Sequence, residues 1–260
     1  MILPLAGRGI LVTRPIEQAA ALAQGICEAG GEALIFPAME IVPITDAALA
    51  AAIDQLHTFD AAIFISPNAA RYGLAAISVR RNWPKHIKVY ALGPGTAREL
   101  ALQGMAEIIQ PEGQDTEALL LLPQLNDVKN KRIMIFRGVG GRELLAETLR
   151  TRGAEVVYAE CYRRVRPECD AQPVIQRWSI GQIHALTIAS AETLHNLASM
   201  LGEAGIRLLR TTPVFAPHEK IAQAARASGI QQAIATAGGD AGLLDGLITC
   251  FQAHACMTLR

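Results

Sequence analysis

Ile10-Leu11-Val12-Thr13-Arg14 returns as Ile133-Met134-Ile135-Phe136-Arg137, so that Arg14 and Arg137 stand 123 residues apart. The offset persists well beyond this run. Gly30 maps onto Gly153, Ser66 onto Ser190, Pro94 onto Pro217, Gly104 onto Gly229 and Asp115 onto Asp240, every pair 123 to 125 residues apart. Six anchors in nearly constant register point to a duplicated unit. Such a unit, if α/β, predicts two similar lobes with a cleft between them, and clefts are where ligands bind.

The quoted runs are short and apolar, and the stretches between them are rich in Ala and Leu, which is the alternation of a parallel α/β fold. Strands are predicted at Gly9–Thr13, Ala33–Phe36, Ala61–Ser66, Lys88–Leu92, Glu107–Gln110, Arg132–Phe136, Glu155–Ala159, His184–Ala189, Pro213–Ala216 and Gln232–Thr236, five to a lobe. The unbroken apolar run Ala61-Ala62-Ile63-Phe64-Ile65 marks a strand covered on both faces. Helices are predicted at Ile16–Ala29, Thr96–Gln103, Gly141–Arg152, Glu192–Gly202 and Lys220–Ser228. Leu22, Ile26 and Ala29 keep one helical face apolar, and Gly30, Gly104, Gly153 and Gly229 are placed to end helices in the left-handed conformation. Met39–Ile44 and Cys161–Pro167 break the pattern as extended, mixed-polarity segments at equivalent positions, and read as a pair of linker strands. The repeat permits two foldings. Contiguous halves would part near Gln124–Lys131, whereas a swapped arrangement would part at the two linkers. Periodicity does not choose between them.

Composition removes several function classes. Lys+Arg and Asp+Glu balance at 24 each in 260 residues, so there is no global basic footprint for nucleic acid. No apolar run approaches the ~18 residues of a membrane span, and the N-terminal apolar stretch is too short for a signal-peptide core. A cytoplasmic protein with no membrane association is expected. Cys27, Cys161, Cys169, Cys250 and Cys256 form no CxxC pair and read as reduced thiols. No metal-ligand spacing, Walker loop, nucleophile elbow or dinucleotide fingerprint appears, so neither metal nor cofactor is expected.

The candidate chemistry sits at strand ends. Gly93-Pro94-Gly95-Thr96 follows a strand and opens a helix, where unpaired N–H groups and the dipole attract anions; the same residues also read as a capping box between Thr96 and Glu99. Ser66-Pro67 has the same double reading, Ser66 as N-cap and Pro67 at the first helical position. Arg14 and Arg137 lie at the carboxyl ends of strands, where parallel sheets place ligands, or are simply solvated. Tyr162 stands in a linker segment. His218 and Lys220 open a helix after Pro217, a position where cations oppose the dipole and an anionic partner would relieve them.

Ile10–Pro15, Phe64–Ala69, Ala91–Ala97, the Arg137-Gly138 turn with Gly141-Arg142, and Glu160–Arg164 together resemble, in order and spacing across essentially the whole chain, the landmarks of the uroporphyrinogen-III synthase family. The resemblance implies an α/β fold of two flavodoxin-like parallel-sheet lobes joined by a two-stranded linker, duplicated and swapped. One lobe would comprise residues 1–38 with 168–260 and the other 44–160, with linker strands at 39–43 and 161–167. It further implies a small-molecule substrate, the linear tetrapyrrole hydroxymethylbilane, closed to uroporphyrinogen III with inversion of ring D and loss of water, without cofactor or metal. By position, Tyr162 matches the tyrosine proposed to assist departure of the ring-A hydroxyl, and Thr13, Arg14, Ser66, Gly93, Thr96, Arg137 and Ser190 match cleft-edge positions. His218 and Lys220 join them as substrate-binding candidates. The chain departs from the family pattern in the second repeat, where Ser190-Ala191-Glu192 lacks the usual proline and Ala216–Lys220 replaces a Gly-Pro-x-Thr-like turn.

Two readings from other classes compete: a cytosolic two-lobed small-molecule binding or sensor protein, and a nucleotide-dependent transferase, against which the missing phosphate fingerprint counts. No apolar interface pattern is visible, and a monomer is expected.

Overall fold

In a computed structural model, residues 3–257 are described, the side chains of 254–257 excepted. The strands are β1 (Gly9–Val12), β2 (Glu32–Ile35), β3 (Glu40–Pro43), β4 (Ala61–Phe64), β5 (Lys88–Ala91), β6 (Ile108–Ile109), β7 (Arg132–Gly138), β8 (Glu155–Val165), β9 (Ala185–Thr187), β10 (Val214–Ala216) and β11 (Ala233–Ala235). The helices are α1 (Ile16–Glu28), α2 (Ala47–Asp54), α3 (Pro67–Arg80), α4 (Pro94–Leu102), α5 (Thr116–Leu120), α6 (Leu144–Thr151), α7 (Gln172–Ser179), α8 (Ala191–Thr211), α9 (Glu219–Ala227) and α10 (Gly239–Met257). The architecture is mixed α/β with parallel sheets. One compact unit runs up to Glu40 and resumes at Val165; the other is Ile41–Arg164.

The first unit holds a five-stranded sheet in the order β11-β10-β9-β1-β2, parallel throughout. β1 is buried along its whole length. Because strand side chains alternate between faces, Ile10 and Val12 enter a core with Leu22 and Ile26 of α1 and Leu243 and Leu247 of α10. Leu11, between them, points to the opposite core with Trp178, Leu197 and Leu209. There the Trp178 indole N–H donates to Thr212 Oγ1 at 2.9 Å, so the one polar atom of the ring is satisfied out of water.

The second unit holds a six-stranded sheet in the order β3-β8-β7-β4-β5-β6, with every pair from β8 through β7, β4 and β5 to β6 parallel. Ile63, Ile133 and Ile135 pack on Leu145 and Leu149 of α6. On the opposite face Phe64 and Phe136 stack with centroids 4.5 Å apart, and α3 lies close over them. A Cβ at Gly73, in the middle of α3, would fall 2.7 Å from the Phe136 ring, so the helix carries a glycine there despite its cost to helix stability.

All ten predicted strands are present; nine begin and end within two residues of the prediction, and the tenth, β8, runs on past Ala159 to Val165. Gly30, Gly104, Gly153 and Gly229 adopt φ of 88°, 88°, 90° and 88°, the left-handed caps expected of them. The helix expected to stop at Gly202 does so, with φ 62° and ψ −169°, and a second helical stretch follows to Thr211. Two expectations are corrected. Cys161–Pro167 is not a separate linker strand, because residues 155–165 form one continuous strand, β8. The Thr96–Glu99 capping box does not form. α4 starts earlier, at Pro94, with Gly93 as its N-cap; Thr96 therefore lies inside the first turn, and Glu99 turns away to Arg71 at 3.1 Å. That hydrogen bond holds the Glu99 carboxyl below its usual range. Cys27, Cys161 and Cys169 are free thiols, while the side chain of Cys256 lies outside the described residues.

Candidate functional site

In each unit the candidate residues collect at the carboxyl edge of the sheet, near or just past the ends of the parallel strands. This edge is where backbone N–H groups of the following helices point, and where open α/β sheets take their ligands.

In the Ile41–Arg164 unit the edge reads, strand by strand, Tyr162 on β8, Arg137 on β7, Ser66 after β4, and Gly93 and Thr96 after β5. From β4 the chain winds one way to β5 and β6, and from β7 it winds the other way to β8. Ser66 and Arg137 thus flank a topological switch point. Ser66 is the N-cap of α3, its Oγ accepting from the Ala69 N–H at 3.0 Å, with Pro67 at the first helical position. The same Oγ lies 3.1 Å from the Tyr162 hydroxyl. Gly93 caps α4 without a side-chain acceptor, and Thr96 is buried in its first turn.

Tyr162 is aimed by an irregularity in the ladder between β7 and β8. Arg137 pairs with Glu160, but the next residue, Gly138, pairs with Tyr162, so Cys161 is the extra residue of a bulge. The unpaired Cys161 turns inward. Its thiol donates to Arg137 O at 3.4 Å and Ala69 O at 3.6 Å, and burial pushes its pKa up to about 12. This thiol is a packing group with no thiolate chemistry at neutral pH. Past the bulge, the Tyr162 ring lies flat against Gly138, where an added Cβ would come within 2.6 Å of it, and 6.0 Å from the Tyr72 ring. Tyr162 is 3% exposed.

Arg137 is placed differently from a solvated arginine. It is 3% exposed. Its Nη1 donates to Glu143 at 2.9 Å, its Nε donates to the carbonyls of Gly138 and Gly140 at 3.2 and 3.1 Å, and Glu160 stands 3.9 Å away. The guanidinium also lies 4.4 Å over the Tyr158 ring, and the Tyr158 hydroxyl donates to Glu143. Hydrogen bonds from Tyr158 and then Arg137 hold the Glu143 carboxyl below its ordinary value. Arg137 therefore pins the 138–143 loop. Beside it a cavity of about 190 Å³ is lined by Ile65, Leu92, Thr116, Arg137, Arg142 and Tyr158. Arg142 is exposed and has no ion-pair partner among the described residues.

In the other unit the edge carries Thr13 and Arg14 after β1, Ser190 after β9, and His218 and Lys220 after β10. Thr13 is fully buried and its hydroxyl donates to Thr187 O at 2.6 Å, tying β1 to β9. The Thr187 hydroxyl itself is buried without a partner. Arg14 forms an ion pair with Asp240 at the start of α10. Ser190 is the N-cap of α8, its Oγ accepting from Thr193 N at 3.0 Å. His218 is the N-cap of α9 without a side-chain bond, and Lys220 is exposed in the first turn, so both basic side chains stand at the positive end of a helix.

Several partners escaped the sequence reading. Gly138 was visible only as half of a turn, and Asp240 only as a repeat anchor. Tyr158 and Glu143 gave no signal, since their importance comes from the burial of Arg137, which the sequence reads only as a ligand-binding or a solvated arginine. Among the described residues no three His, Cys, Asp or Glu side chains gather closely enough to hold a metal ion, and no helix is long and apolar enough to cross a membrane.

The family described as uroporphyrinogen-III synthase HemD has a model that matches residues 20–245. The uroporphyrinogen-III synthase of Salmonella typhimurium is 36% identical over 196 residues, 74% of this chain and 79% of that one. That of Proteus mirabilis is 35% identical over 193 residues, 73% of this chain and 97% of that one. A solved mutant uroporphyrinogen III synthase from the extremely thermophilic bacterium Thermus thermophilus superposes with a TM-score of 0.64 at 17% identity, covering 95% of this chain and 99% of that one. The uroporphyrinogen-III synthetase of Helicobacter pylori 26695 follows at 0.56 and 16%, covering 97% and 100%. At these identities the solved structures speak to the fold alone.

Proposed function

The chain belongs to the uroporphyrinogen-III synthase family, and on that premise we propose that it cyclises hydroxymethylbilane to uroporphyrinogen III, inverting ring D and releasing water. The observation that carries this is the identity to named uroporphyrinogen-III synthases, 36% over 196 residues, together with a family match that spans residues 20–245. The binding-protein and transferase readings have no comparable support.

The chemistry fits the candidate edges. A substrate with eight carboxylates must be met by a net-neutral chain, and helix N-termini do this without net charge. The N-termini of α3 and α4 in one unit, and of α8 and α9 in the other, supply such groups. Lys220 adds positive charge on one edge, with His218 beside it and Arg14 held in its ion pair with Asp240, and Arg142 does so on the other. Thr13, whose hydroxyl is committed to Thr187 O, contributes backbone to this surface, and Arg137, committed to Glu143 and two carbonyls, contributes the shape of its loop. Pyrroles are electron-rich, so loss of hydroxide to an azafulvene needs only mild acid help, which Tyr162 supplies. The harder task is to fold the bilane so that ring D attacks through its substituted carbon. Holding reacting atoms together accounts for much of the rate in such a case, and strong acids and bases are not required.

The fold is read here as a swapped duplication of a flavodoxin-like unit. Two observations support it. The order β2-β1-β9-β10-β11 is 2-1-3-4-5 along the chain, the order β8-β7-β4-β5-β6 is the same once β7 and β8 are counted first, and the strands that then correspond are 123 to 126 residues apart. Each unit then takes strands from both halves of the sequence. A cytoplasmic monomer working without cofactor completes the reading. Purified protein, dialysed exhaustively against chelator, should consume enzymatically made hydroxymethylbilane well above the spontaneous rate. Consumption no faster than buffer, or activity returning only with a metal or nucleotide, would contradict it.

A further inference from the structure

The Tyr162 hydroxyl has one polar neighbour among the described residues, and that neighbour is Ser66 at 3.1 Å. Ser66 is held in turn. Its Oγ accepts the Ala69 N–H at 3.0 Å at the start of the 14-residue helix α3. With the Ala69 N–H on one lone pair, the Ser66 hydroxyl can still donate its hydrogen, and the phenolic oxygen at 3.1 Å is an acceptor within reach. The residue is half-buried, and its backbone is extended at φ −159° and ψ 161°. Tyr162, by contrast, is fixed on its other sides by packing alone: Gly138 under the ring and Tyr72 beside it.

We infer that Ser66 is a positioning residue for the Tyr162 hydroxyl, holding its oxygen at the N-terminus of α3, rather than a binder of substrate carboxylate. The inference rests on the reading of Tyr162 as the acid of the proposed reaction. The atoms run in one line: Ala69 N–H to Ser66 Oγ, Ser66 O–H to Tyr162 Oη, Tyr162 O–H to the departing hydroxyl. As the carbon–oxygen bond of the hydroxymethyl group breaks, the electron pair leaves with oxygen and the Tyr162 proton completes a water molecule. The Ser66 O–H then donates to a phenolate, a charge-assisted bond stronger than the neutral one it replaces, and the dipole of α3 favours the negative charge. The proton returns when ring D loses its hydrogen from the unsubstituted α-carbon on closure. Since the bond strengthens only as charge develops, it acts on the rate and not on binding.

The test is a double-mutant cycle in the full-length protein with hydroxymethylbilane. Ser66→Gly removes the hydroxyl while leaving a residue that is itself favoured at the N-cap. Its kcat should fall by about tenfold, the rate equivalent of one hydrogen bond, with KM within about twofold. Ser66→Thr, which keeps the hydroxyl, should restore most of the rate. In a Tyr162→Phe background, Ser66→Gly should cause no further loss, because there is no phenolic oxygen left to hold. A raised KM, or losses that multiply in the double variant, would place Ser66 on the substrate and overturn the inference. Slow Tyr162→Phe beside a normal Ser66→Gly would overturn it while leaving the Tyr162 reading intact. Normal turnover in Tyr162→Phe would sink that reading first, and this inference with it.

Discussion

Tyr162→Phe is expected to lower kcat by about 10- to 100-fold, at or below the low end of what general-acid assistance supplies. The effect is large because the hydroxyl is the polar group that the bulge between β7 and β8 turns toward Ser66. It stays short of abolition because departure of hydroxide from an electron-rich pyrrole is already easy. The folded state should survive. Only one hydrogen bond is lost, worth about 0.5–1.5 kcal/mol, and Ser66 keeps its backbone donor. KM should change little, since the ring remains and the helix N-termini are untouched. The product should still be the inverted isomer, because the shape of the site and not this hydroxyl governs the fold of the bilane. Wild-type kcat in a well-folded variant would remove Tyr162 from the mechanism, and a switch to the uninverted isomer would make it a residue that orients ring D.

Gly138→Ala is expected to be at least as damaging. Gly138 does not need glycine for its backbone angles; it needs the space. A methyl carbon there would sit 2.6 Å from Cε2 and Cζ of Tyr162, whereas carbon atoms in contact stand roughly 3.5–4.0 Å apart. The ring must move by about 1 Å to relieve that contact, and the neighbouring strand is held by its ladder. The Ser66 bond, now 3.1 Å, would pass out of hydrogen-bond range. Misplacement on this scale costs about 100-fold in catalysis, and overpacking adds about 1–3 kcal/mol of destabilisation. Turnover and thermal unfolding together separate the two effects: a kcat loss measured well below the melting transition belongs to the ring. A Gly138→Ala protein with normal kcat would show that the placement of Tyr162 does not matter.

The sheets were legible because parallel strands buried on both faces carry runs such as Ile10–Val12 and Ala61–Phe64, and because glycines such as Gly30 and Gly153 mark helix ends through conformation alone. The site was legible in position more than in contact. Ser66 as an N-cap could be read from Ser-Pro, but its bond to Tyr162 joins residues 96 apart, and no local pattern records that. The bulge was invisible for the same reason, since Cys161 becomes the extra residue only through the register of β8 against β7. Arg137 shows a different limit. The sequence cannot tell a buried arginine from an exposed one, and its burial depends on Glu143, Tyr158 and two loop carbonyls meeting it at once. The capping box failed because Pro94, set for the first helical position, started α4 ahead of Thr96.

The central claim is control over which carbon of ring D closes the macrocycle. Hydroxymethylbilane made enzymatically and added to the purified protein, with the porphyrins oxidised and resolved by isomer, measures that control directly. The inverted isomer, uroporphyrinogen III, should form almost alone and at a rate proportional to protein concentration. The uninverted isomer, formed at the rate seen in buffer, would contradict the claim.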